Sequence, residues 1–371
     1  MKKTLAAVAV LGAFAGSALA DVTVYGGVDT ALVFTHAASG ADTVAMKANG
    51  EETNKIGFKG SEKISDDLTV GFKLEAEFDL DTGAAAKTLM KREALVYAKT
   101  AFGEFGFGRT GSLGASTGSY AFMGGGNTGW GGGVYDVLDL AFVQPGKASR
   151  LDNAITYVSP KMAGVTLYAQ VGSADDATNF NEYTHTADRY YAAGARYAAG
   201  AFNAGLVVTV QDYANAVAKA AKADDAVVVS GFANYNFGVA KVALTAQYYD
   251  NLKAADAVTV YKKDDIGNFT STVDSDKSKD ATAGVKGYGL TAAVVAPVAG
   301  GTATVGLGYG EQEAVVGGED KELYAAGAKF LYPLSKQTGV YTGVAYTNTK
   351  DTVQDTSAEA VTAHVGLYHK F

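Results

Sequence analysis

Leu68-Thr69-Val70-Gly71-Phe72-Lys73-Leu74-Glu75-Ala76-Glu77-Phe78-Asp79-Leu80 is the stretch whose reading decides the fold. Its even positions are apolar: Leu68, Val70, Phe72, Leu74, Ala76, Phe78 and Leu80. Its odd positions carry Thr69, Lys73, Glu75, Glu77 and Asp79. Side chains alternate faces along a strand, so this period of two makes one wholly apolar face and one charged face. A helix would scatter both sets around its axis.

The same period recurs outward in both directions. Val22 to Phe34 carries Val22, Val24, Val28, Leu32 and Phe34 against Thr23, Tyr25 and Asp29. In Gly164 to Gly172, Val165, Leu167, Ala169 and Val171 oppose Thr166, Tyr168 and Gln170; in Lys241 to Tyr249, Val242, Leu244, Ala246 and Tyr248 oppose Lys241, Thr245 and Gln247. Sixteen such strands are expected, near 22–34, 54–61, 67–80, 90–99, 103–109, 150–159, 164–173, 188–198, 201–213, 226–237, 239–250, 282–296, 302–313, 319–332, 339–348 and 360–371. Their connections alternate between short turns, such as Pro160 to Ala163, and long polar loops, such as Asn251 to Asp280.

The ends and the composition decide between two all-β architectures. Met1 to Ala20 has Lys2 and Lys3, an apolar run from Leu5 to Phe14 and small residues before Asp21, the pattern of a secretory signal removed after Ala20. Without it the chain holds 29 basic and 39 acidic residues, net −10, which argues against nucleic acid as a partner. There is no cysteine, so neither disulfides nor thiolate chemistry is available to this exported chain. The 22 tyrosines, 17 phenylalanines and 46 glycines beside only 4 prolines suit many strands joined by tight turns. A soluble β-sandwich would also alternate. It would not need a signal, loops long on one side only, and a last strand, Ala360 to Phe371, that alternates up to an aromatic final residue. These features predict a sixteen-stranded antiparallel transmembrane β-barrel over 21–371, with apolar faces to lipid and polar faces to the lumen.

One stretch stands apart. Between Arg109 and Asp152 lie some forty residues with seven glycines from Gly124 to Gly133, the only tryptophan, Trp130, and Tyr120, Phe122, Tyr135 and Phe142. So long a loop is functional or disordered, and this one has too many aromatics for a solvated tail. It is expected to pack inside the barrel.

The chain resembles the general porins of Gram-negative bacteria, especially the proteobacterial trimeric type. The resemblance rests on VTVYGGVDTALV (22–33), KIGFKGSEKISDDLTVGFKLEAEFDLDTG (55–83), REALVYAKTAFGEFGFGRTGS (92–112), LDNAITYVSPKMAGVTLYAQVG (151–172), YPLSKQTGVYTGVAYTNT (332–349) and the terminal VGLYHKF (365–371). From about Ser173 to Ala281 only the strand pattern matches. The resemblance implies a homotrimeric channel in the outer membrane, surrounded by its lipid, for passive diffusion of ions and small hydrophilic solutes. It also implies that the third extracellular loop, 110–149, folds inward as a constriction.

Rings of charge select in pores, and a low-dielectric wall focuses their field. The basic candidates are Lys55, Arg92 and Arg150, which stand at motif positions where the resembling porins carry a basic cluster. Lys55 opposes Ile56 and Phe58; Arg92 shares parity with Ala94 and Val96 against Leu95 and Tyr97; Arg150 opposes Leu151 and Ile155. The acidic candidates are Glu75 on the wall and Asp136 and Asp139 on the loop, which lacks the Pro-Glu-Phe-Gly-Gly-like turn usual in such porins. Asp29, Lys59, Lys73, Glu77 and Arg196 are expected in the vestibules. Phe371 is expected to serve as an assembly signal, as the terminal aromatic does in the resembling porins.

Enzyme signals fail on inspection. Gly106 to Gly111 matches GxGxxG but opens no helix, and the four histidines have no metal spacing. No cofactor is implied. A barrel enzyme at the rim, or an adhesin acting through outer loops, are the competing readings.

Overall fold

A computed structural model describes residues 22–38, 40, 42–48, 50–86, 88–129, 144, 150–174, 188–213, 225–253, 259–263, 269–273, 284–315, 320–352 and 355–371. The chain begins with β1 (Thr23–Ala37), β2 (Asp42–Ala48), β3 (Lys55–Ser65), β4 (Leu68–Glu77), β5 (Glu93–Thr100) and β6 (Gly103–Gly111). One helical turn, α1 (Gly125–Thr128), precedes β7 (Arg150–Val158), β8 (Val165–Ala174), β9 (Arg189–Ala199) and β10 (Phe202–Asp212). Next come β11 (Ala226–Asn236), β12 (Lys241–Lys253), β13 (Thr259–Lys263) and β14 (Phe269–Val273). The wall is completed by β15 (Gly284–Val298), β16 (Gly301–Ala314), β17 (Lys321–Pro333), β18 (Thr338–Asp351) and β19 (Thr356–Lys370).

Each wall strand pairs antiparallel with its sequence neighbour, and β19 returns to β1 from Gly27↔Lys370 to Ala37↔Ala360. The sheet therefore closes on itself, as a wall in hydrocarbon must. It contains 17 strands, but β2 and β3 both lie against β1, through Thr30↔Ala48 and Gly27↔Lys55, and fill one place in the wall. The result is a closed sixteen-position antiparallel barrel, as the period of two predicts.

Two expectations need correction. β2 falls in a stretch read as loop, because its alternation is short: only Val44 and Met46 mark the apolar face. The β13–β14 hairpin lies in the polar run after Asn251 and, among the described residues, pairs only with itself.

The two faces of the wall differ in chemistry. Outward-pointing Leu32, Phe34, Leu206, Leu244, Val305 and Leu307 are exposed, while Thr156, Gln170, Thr209, Ser230, Gln247 and Thr291 point inward and are buried. That inversion of a soluble protein is what a wall facing lipid requires.

Inside, one arc of the wall departs from polar alternation. Leu95, Leu151, Ala154, Tyr190, Ala192, Val207 and Phe232 form a buried apolar cluster with Leu113, Tyr120, Phe122 and Met123 of the segment after β6. Phe122 sits 5.1 Å from the Tyr168 ring and 6.4 Å, edge to face, from Phe232. Residues 112–129 thus lie on the inner wall, and the wall beneath them is apolar because they cover it. The Tyr120 phenol rests on Gly106, where a Cβ would come within 2.1 Å of the hydroxyl oxygen. This seat, not a phosphate turn, explains the glycine of the GxGxxG match.

Candidate functional site

Strand parity and one local irregularity gather charge along the inner side of β3 to β7. Glu75, on the charged face of β4, accepts from the Tyr25 hydroxyl at 2.9 Å and pairs with Lys73 and Arg92, each at 3.2 Å. Arg92 also reaches Glu77 at 3.3 Å, and Lys91 does so at 3.5 Å. Between Gly108 and Thr110 β6 advances two residues while its partner β7 advances three, from Ala154 to Leu151, so β7 carries an extra residue at Asn153 beside Arg109, which is buried. There Arg109 pairs with Asp152 at 2.5 Å, and its Nε donates to the Lys91 carbonyl at 2.6 Å. Arg150 lies within the electrostatic reach of Arg92, Glu93, Glu75 and Arg109, so the basic residues from separate strands do converge.

The loop is fastened to this cluster. Arg150 donates to the Thr117 carbonyl at 2.8 Å and to its hydroxyl at 3.1 Å. Glu93, fully buried, accepts from the Ser119 amide at 2.7 Å, the Ser119 hydroxyl and the Thr110 hydroxyl at 3.1 Å, and faces Lys73 at 3.2 Å. Gln170 pins the start of the segment, accepting from the Leu113 amide at 2.9 Å and donating to the Gly111 carbonyl at 3.1 Å. Tyr120 donates to Glu104 at 2.9 Å; burial, then the Glu104 charge, push its phenol well above the ordinary range, so it stays a donor.

Further on, the segment runs toward the short-turn end of the barrel. Asn127 accepts from Asn203 at 2.9 Å through its side chain and from Asn234 at 2.6 Å through its carbonyl; Lys241 donates to the Gly126 carbonyl at 3.1 Å. Gln144 donates to Thr245 at 2.7 Å on the same inner face.

The residues singled out in the sequence fall as follows. Lys55 and Glu75 point inward as their parity requires. Arg92 lies inside for a different reason than parity: it precedes β5, in which Glu93, Leu95 and Tyr97 face the lumen while Val96 is exposed outward. Arg150 and Leu151 are both buried: Leu151 in the apolar cluster and Arg150 against Thr117, while the register shifts just beyond them, between Asp152 and Ile155, with Asn153 at φ 51°. Asp136 and Asp139 lie outside the described residues. Asp29 is fully buried in a hydrogen-bond network, and the partly exposed Lys73 pairs with Glu75 and Glu93. Glu93, Arg109 and Asp152 were missed: Glu93 because the parity taken for β5 put its face outward, Asp152 and its partner Arg109 because the bulge at Asn153 has no periodic signature.

Comparison with known proteins places the chain. The family model of the Gram-negative porin matches residues 6–352. This chain belongs to the Gram-negative porin family. Outer membrane porin protein 32 of Delftia acidovorans is 30% identical over 95% of the chain and 91% of its own length. An outer membrane porin protein of Bordetella pertussis is 27% identical over 100% of both. Among solved structures, the anion-selective porin from Comamonas acidovorans superposes with a TM-score of 0.64 at 22% identity, covering 95% of this chain and 99% of that one. The porin is an outer-membrane channel for passive diffusion and not an enzyme, which disposes of the barrel-enzyme and adhesin readings.

Proposed function

We propose that this porin passes ions and small hydrophilic solutes through a lumen narrowed by residues 110–149, and that Lys55, Arg92 and Arg150, with Glu75, Asp136 and Asp139, line the constriction. The observation that carries the reading is the bond from Arg150 to Thr117, which joins the basic wall to the segment that leaves it. A sixteen-stranded barrel is otherwise wide enough for an open aqueous channel, so a segment across it sets the size limit.

Around Arg92 the cations Lys73, Lys91, Arg92, Arg109 and Arg150 stand with the carboxylates Glu75, Glu77, Glu93 and Asp152. Near-balanced charge of this kind gives weak selectivity, and opposed signs across a narrow gap orient water and disfavour apolar solutes. The porin acts as a homotrimer, its first twenty residues are removed after Ala20, and Phe371 is read during assembly. The test of the constriction is the zero-current potential across a planar bilayer under a salt gradient. Arg92→Ser with Arg150→Ser should move it clearly towards cations. An unchanged potential from inserted barrels would show that neither arginine lines the constriction.

A further inference from the structure

The partner of β1 contains more chain than pairing needs. Its register passes from Thr30↔Ala48 directly to Gly27↔Lys55, so the described residues 50–54 stand opposite only Val28 and Asp29. The surplus is turned inward and held there. Asp29, fully buried on the inner face of β1, accepts the amides of Gly50 at 3.0 Å, Glu51 at 2.8 Å and Glu52 at 2.8 Å, and the Tyr341 hydroxyl at 2.6 Å. Asn54 closes the turn by donating to the Asp29 carbonyl at 3.1 Å.

From this shelf two carboxylates reach along the inner wall. Glu51 meets Lys329 on β17 at 2.6 Å, across β18 and β19; Glu52 meets Lys55 and Lys370, each at 2.9 Å. Neighbouring strands are about 4.8 Å apart, so the shelf and its pairs extend roughly 15 Å round the lumen. On the other side of Lys55, the charged arc continues without a break: Lys55 pairs in register with Glu77, and Glu75 lies within the field of both Lys55 and Arg92. Loop residues 112–129, by contrast, carry no carboxylate.

We propose that the turn 50–54 is a second element of the constriction, and that Glu51 and Glu52 supply acidic charge that the inserted loop lacks. Lys329 and Lys370 then belong to the same selectivity arc as Lys55. The inference rests on the reading that the Lys55, Arg92 and Arg150 arc bounds the narrow part of the pore. The anchoring bonds to Asp29 come from backbone amides, so glutamine at either position leaves the turn in place and removes only charge.

The experiment compares two double variants by zero-current potential under a potassium chloride gradient. Glu51→Gln with Glu52→Gln should raise the anion-to-cation permeability ratio by roughly twofold or more. The shift should shrink in molar salt, where screening acts within about 3 Å. The single variants, measured alongside, should each give a smaller shift of the same sign and serve if the double inserts poorly. No shift in the glutamate variants while Arg92→Ser with Arg150→Ser does shift would overturn this inference and leave the constriction reading standing. No shift in either double variant would overturn both.

Discussion

The Tyr341 hydroxyl donates to Asp29 Oδ1 at 2.6 Å, joining residues 312 positions apart in sequence across the seam where β19 meets β1. Hydrogen bonds to a buried charge contribute about 1.5–3 kcal/mol each. Tyr341→Phe should therefore lower the stability of the inserted barrel in urea by about that amount, with no change in strand content. Gly50→Ala should do the same from the other side, since a Cβ there would lie 1.8 Å from the Tyr341 oxygen. A urea midpoint unchanged in both variants would show that the seam does not depend on this anchor.

Glu93 ties the inserted segment to the wall through Ser119 and Thr110. Glutamine there retains the shape but loses the charge that Lys73 and three donors share. Glu93→Gln is expected to loosen residues 112–123, seen as faster hydrogen exchange of the Ser119 amide and noisier open-channel current. Global stability should fall by only about 1–3 kcal/mol. Wild-type exchange at Ser119 would contradict the assignment of Glu93 as the fastening point.

Most of the wall was legible in the sequence because lipid outside and water inside impose a period of two on every strand, as in Leu68 to Leu80. The pattern failed where a third element intervened. Leu95 and Tyr97 face inward because Tyr120 and Phe122 cover that part of the lumen, so the parity read for β5 was inverted, although Arg92, which precedes the strand, does lie inside. Asp152, the partner of Arg109, stands beside a bulge in β7, and Glu51 and Glu52 stand on a turn folded inward from the wall. Neither device has a period, and both depend on contacts with strands distant in sequence. Lys55 and Glu75 were legible because they stand within regular strands on the expected face.

Phe371 closes the barrel through two backbone bonds with Gly26, at 2.9 and 3.1 Å, and its ring lies over that glycine. Phe371→Ala keeps both backbone bonds and removes only the ring. If the ring is read during assembly, this variant should reduce the quantity of inserted barrel severalfold, whereas Phe102→Ala, an exposed aromatic in a short turn at the same end, should not. Equal membrane levels for the two variants would reduce Phe371 to an ordinary interfacial aromatic.

The most direct measurement on the pore is the single-channel conductance of a variant lacking residues 124–133. Its removal deletes α1 and the Asn127 contacts to Asn203 and Asn234 while leaving every wall strand and the Glu93 anchor in place. If this segment narrows the lumen, conductance should rise and liposome swelling should admit larger sugars than the wild type passes. Unchanged conductance and an unchanged size limit, in barrels verified by their strand content, would contradict the claim that it does.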